Sequence, residues 1–78
     1  SIPDLILETE GERIPELLTL PNARQLTDTT VAVPNLSKEN VAWLLGQMAA
    51  LNVPIFEARR AQQSLEEVFM DLTVQGSL

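Results

Sequence analysis

The stretch SKENVAWLLGQMAAL, residues 37–51, decides how the rest of this chain must fold. Ser37 is a good helix N-cap, because its hydroxyl can accept from a backbone N–H that the first turn leaves unpaired. Val41, Leu44, Leu45 and Met48 then recur at i, i+3, i+4 and i+7, which puts all four on one stripe of a helix from about Lys38 to Leu51. Asn52 follows as a terminator, since asparagine tolerates the left-handed turn that ends many helices. A helix with one apolar stripe needs a second layer to cover it, and the flanking sequence supplies strands.

Working outward, Val53–Arg59 reads as a strand, with Pro54 marking its start or an edge. Upstream, Ala23–Thr27 and Thr29–Val33 flank Asp28 as a hairpin, and Pro34 stops the second arm. The turn lacks the Asn-Gly or Asp-Gly pair that favours the tightest hairpins. Ile14–Leu20 suits a short helix with Pro15 near its first turn, where a missing N–H does no harm, and Pro21-Asn22 ends it. Asp4–Glu10 reads as a first strand, Leu5 and Leu7 on one face and Ile6, Glu8 and Glu10 on the other, broken by Gly11. The predicted class is α+β: a ferredoxin-like split β-α-β arrangement (βαββαβ) with an extra C-terminal helix. One domain is expected over 1–78, with a linker at 1–3, the core at 4–63, a helix at 64–73 and a frayed tail at 74–78.

Composition narrows the chemistry. The 78 residues include no Cys and no His, and Lys38 is the only lysine. That removes thiolate chemistry, the commonest zinc ligand and the usual general base near neutral pH. The net charge is −6, and of the basic residues Arg13, Arg24, Lys38, Arg59 and Arg60 only the last two adjoin. Phosphate backbones demand clustered cations, so nucleic acid is not an expected partner. No apolar run approaches the ~20 residues that span a bilayer, so no direct membrane insertion is expected.

A second stretch, SLEEVFMDLT at 64–73, starts with a capping box formed by Ser64 and Glu67. Glu66 and Glu67 suit the positive end of the helix dipole, and Leu65, Val68, Phe69 and Leu72 share one face. Glu67 and Asp71 stand one turn apart, but without His or a third ligand they read as a solvated face. These ten residues resemble the ending of ATP-binding subunits of ABC transporters of the drug and antibiotic exporter type. Such chains often finish in a Leu-Glu-Glu/Asp-x-Phe-x-x-Leu-Thr segment, here Leu65, Glu66, Glu67, Phe69, Leu72 and Thr73. LILETEGE and VPIFEARRAQQ stand where the first and last strands of that accessory domain usually lie. The resemblance implies a C-terminal regulatory domain of a bacterial, cytoplasmic subunit, peripheral to the inner membrane through its transport complex. Its implied partners are the ATPase domain of the same chain, a homodimer partner and, indirectly, the transporter's membrane subunit. ATP and Mg²⁺ are implied for the parent chain only. No G-x-x-x-x-G-K-[ST] loop occurs in these 78 residues, and LLGQ at 44–47 is no substitute for the Ser-Gly-Gly signature, so no catalysis and no bound cofactor are expected here.

Two surfaces stay open on sequence alone. Trp43 points about 140° from the centre of the apolar stripe, using ~100° per residue, beside Gly46, Gln47 and Ala50. It forms either a partner surface or a ledge that the last helix or tail covers. On the sheet, Ile6, Phe56 and Ala58 are expected to face away from the helices, where Glu8 and Arg60 can pair. That face takes a ligand, a second protomer or the last helix. Three functional readings follow: a non-catalytic accessory domain first, a ferredoxin-like small-molecule sensor or dimerisation module second, and a catalytic carboxylate or metal enzyme last.

Overall fold

The computed structural model describes residues 2–62. Seven short elements follow in order: β1 (Leu5–Glu8), a 3₁₀ turn (Gly11–Arg13), α1 (Ile14–Leu17), β2 (Arg24–Gln25), β3 (Thr30–Val33), α2 (Lys38–Ala50) and β4 (Glu57–Arg60). The α+β class is observed, as four antiparallel strands and two helices. The sheet order is β2-β3-β1-β4, so the first strand in the chain is an inner one. The helix expected at 64–73, the tail at 74–78 and every residue of the terminal motif lie outside the described residues.

The helix α2 forms as its residues dictate. Ser37 Oγ accepts from the Asn40 N–H at 3.1 Å. Leu36 just before the cap and Val41 in the second turn both pack against the core, the arrangement of a hydrophobic staple. Leu44 and Met48 are fully buried, with Val41 and Leu45 at the edge of the same cluster. At the far end Asn52 adopts a left-handed conformation, φ 57°. The Val53 N–H reaches back to Met48 O and the Asn52 N–H to Ala49 O, which together make a Schellman closure. Val53 and Met48 are both buried beneath it, so the cap also fixes where the chain turns toward β4.

The register sets the two faces of the sheet. Leu5 pairs with Val33 and Leu7 with Val31, and residues directly opposite share a face. These four join Ile14 and Leu17 of α1, Leu44 and Met48 of α2, and Val53 in one buried cluster. Both helices therefore cover the Leu5/Leu7 face, as the alternation in the sequence requires. Ile6 and Ala32 oppose each other on the other face and are also buried. Arg24 in register with Ala32 and Arg59 in register with Ile6 flank them, and aliphatic arginine stems shield apolar neighbours well. Arg24 Nη2 also bonds Asp4 Oδ2 at 2.8 Å across this surface.

Several expectations about the elements need correction. The first helix ends at Leu17, not Leu20. Thr19 Oγ1 donates to Glu16 O at 2.6 Å, and the Thr19 and Leu20 N–H groups bond three residues back, so the turn tightens. Pro21 then disfavours a helical Leu20. The hairpin does centre on Asp28, since Arg24 pairs with Ala32 and Gln25 with Val31. Its arms are shorter than expected, because Thr27 and Thr30 close a wider loop through their hydroxyls. The last strand begins at Glu57 instead of Val53, because Val53 is committed to capping α2. Finally, Ala58 stands in register with Leu7. It belongs to the helix-covered face, not the opposite one.

Candidate functional site

The long helix presents two surfaces beyond its core stripe. Its outer face carries Trp43, which is 65% exposed, with Gly46 and Ala50 also exposed. An exposed indole is expensive to leave in water, and aromatic side chains beside small residues are common at protein contacts. Gly46 adds a second argument. A Cβ built there would meet nothing within 4 Å. Glycine inside a helix is less stable than alanine by roughly 0.5–1 kcal/mol, and no neighbour among the described residues requires it. Gly46→Ala should therefore raise the melting temperature of the 78-residue chain, corresponding to about 0.5–1 kcal/mol. A loss of stability in a thermal scan would show that an intramolecular contact fills the space.

The second surface went unrecognised in the sequence. A cleft of about 670 Å³ runs between the C-terminal half of α2 and β4, lined by Leu45, Ala49, Val53, Phe56 and Ala58 with Glu10 at its rim. Phe56 is 62% exposed there. Its N–H bonds Glu8 O at 2.9 Å while Glu8 is already in register with Glu57, so the chain gains an extra residue where it enters the strand. Phe56 was expected on the sheet face away from the helices; it lines this cleft beside α2 instead, because an aromatic residue two positions after Pro54 does not by itself fix a face.

The walls of the cleft are held by polar contacts from distant parts of the chain. Thr9 is buried, and its Oγ1 donates to Pro54 O at 2.6 Å. Arg13 Nη2 donates to Leu51 O at 3.1 Å, bringing a cation to the negative end of α2. Arg60 does not pair with Glu8 as expected. Its guanidinium donates to Pro3 O and Leu36 O, from the helix-covered side. Arg59 Nε instead bonds Glu57 Oε1 at 3.2 Å, within β4.

Among the described residues no group of three or more metal-ligating side chains comes together, and no described helix is long and apolar enough to cross a membrane. Leu65, Glu66, Glu67, Phe69, Leu72 and Thr73 lie outside the described residues, so the structure brings none of them to either surface. Comparison with known protein families, curated proteins and solved structures finds no match.

Proposed function

We propose that this chain is a non-catalytic accessory domain that works through protein contacts, and that its setting is the C-terminal end of an ABC transporter ATPase subunit. The exposed Trp43 carries the first half of this reading: an aromatic residue stands exposed in a helix face with small neighbours. The resemblance of SLEEVFMDLT to exporter subunit endings carries the second. The sheet order β2-β3-β1-β4, with a hairpin between β2 and β3 and both helices on one face, supports a ferredoxin-like architecture. In this setting ATP and Mg²⁺ belong to an ATPase domain of the same chain, on the cytoplasmic side of a membrane complex. The domain modulates turnover or subunit contacts there.

Trp43 is the only tryptophan in the sequence, so its emission reports this surface directly. A red-shifted, readily quenched spectrum is expected from the 78-residue chain. Trp43→Ala should change folding stability by no more than about 0.5 kcal/mol, as for other exposed sites. In an intact subunit the same change should weaken assembly or alter ATP turnover, because aromatic anchors dominate contact energies. Unchanged turnover and assembly would remove Trp43 from the reading. The cleft favours a second reading, a small-molecule sensor, since an open cleft of this size with mixed apolar and polar walls can hold a modest ligand.

A further inference from the structure

The outer edge of β4 is the longer of the two sheet edges, and its backbone phase is fixed. The Ala61 N–H bonds Asp4 O at 2.8 Å, in the register that pairs Leu5 with Arg60. Inward and outward backbone groups alternate along an antiparallel strand. Arg59 and Glu57 therefore turn theirs toward β1, and Ala58 and Arg60 turn theirs outward. Among the described residues no strand pairs with that edge. The opposite edge, β2, is only two residues long, and short edges resist pairing.

We propose that β4 is a homodimerisation edge, pairing antiparallel with β4 of a second copy about a two-fold axis at Ala58. The sequence of the strand, Glu-Ala-Arg-Arg, chooses both the partner and the register. With Ala58 opposite Ala58 of the second copy, Glu57 stands opposite Arg59 of that copy, and its Glu57 opposite Arg59. Sliding the copies by one allowed step in either direction sets Arg59 against Arg59 or Glu57 against Glu57. Like charges directly opposed across strands destabilise the pair. Both acidic and basic members lie on the face away from the helices, already 3.2 Å apart within one strand, and are exposed. The two-fold arrangement is closed, because each copy offers one such edge and uses it. It extends the four-stranded sheet to eight strands.

This inference goes beyond the accessory-domain reading and holds whether or not the chain sits in an ATPase subunit. A four-residue edge buries little area, so the dimer is weak and reversible. Sedimentation of the 78-residue chain from about 10 µM to about 1 mM, the regime of small interfaces, should show a monomer passing to a dimer. Ala58→Pro removes an outward N–H but no bond to β1, so circular dichroism should be kept and the dimer lost. Glu57→Arg alone and Arg59→Glu alone should each weaken association about tenfold or more by opposing like charges. An equimolar mixture of these two variants should dimerise again, since each then meets unlike charge in the other. Monomer at every concentration, a dimer indifferent to Ala58→Pro, or a mixture that stays monomeric would each overturn the proposal. So would a dimer abolished by Trp43→Ala but not by Ala58→Pro, which would put the contact on α2. Trp43→Ala failing to alter an intact subunit, with the β4 results as expected, would sink only the accessory-domain function.

Discussion

Leu7→Ala should bring this domain to the edge of unfolding. Leu7 is wholly buried in an inner strand, with Val31 opposite it on one side and Ala58 on the other. Truncating a buried leucine removes its transfer free energy and leaves a cavity, a loss of about 2–5 kcal/mol. Here the site has little room to collapse, because β1 is held on both edges and the helices above it are capped at both ends of α2. Small domains sit toward the low end of a total stability of roughly 5–15 kcal/mol. Urea denaturation followed by far-ultraviolet circular dichroism should show the midpoint falling with little change in slope. Leu7→Met should cost less than about 1.5 kcal/mol, since it nearly conserves volume. An Ala variant within about 1 kcal/mol of the parent, below the range of cavity penalties, would contradict the packing of both helices on this face.

Thr9→Val should be the next most damaging change. Valine keeps the shape but removes the donor to Pro54 O, and the carbonyl then has a buried apolar group at its lone pair. An unsatisfied polar group of this kind costs about 1–3 kcal/mol. Thr9→Ser should recover most of the loss, because it restores the hydroxyl and gives up only a methyl. The Thr9 backbone N–H also bonds Thr29 O, so this residue ties the end of β1 to the hairpin loop and to the connection between α2 and β4. Amide exchange should accelerate at Val53 and Phe56 in Thr9→Val, while the centre of α2 stays protected. Equal stability of the Val and Ser variants would mean that the hydroxyl contributes nothing at this site.

How far the sequence was legible differs from element to element, for physical reasons. Everything about α2 was local: a serine cap, a four-residue stripe and an asparagine that accepts a positive φ, all within sixteen positions of one another. The buried face was legible in β3, where Val31 and Val33 flank the smaller Ala32, and only partly in β1, where Ile6 between Leu5 and Leu7 is as apolar as they are and Glu8 alone marks the alternation. The end of α1 was misjudged because a threonine hydroxyl competes for the carbonyls that a longer helix would use, and periodicity does not register such competition. The face of Ala58 was misassigned because Glu-Ala-Arg-Arg has no apolar alternation. Only pairing with β1, and the extra residue at Phe56, fixes its phase. Thr9 gave no signal at all, since its partner lies 45 positions away. Of the interaction surface, Trp43 was visible as a misfit on its helical wheel, whereas the cleft depends on that same strand phase.

The place of β1 in the sheet has a consequence for how the chain assembles in time. It is synthesised before the other strands of this sheet, yet it needs β3 on one side and β4 on the other. The contact between Arg60 and Pro3 closes a separation of 57 positions. The β2–β3 hairpin and α2 need only neighbours, so they can form early, but closing the long loop that brings β4 home delays the reward of the final ladder. During translation the apolar face of β1 must therefore wait, half-paired, until nearly the whole described chain has left the ribosome. A nascent chain stalled before residue 57 presents that unfinished edge to whatever is near, and such unpaired edges are where association with the wrong strand begins.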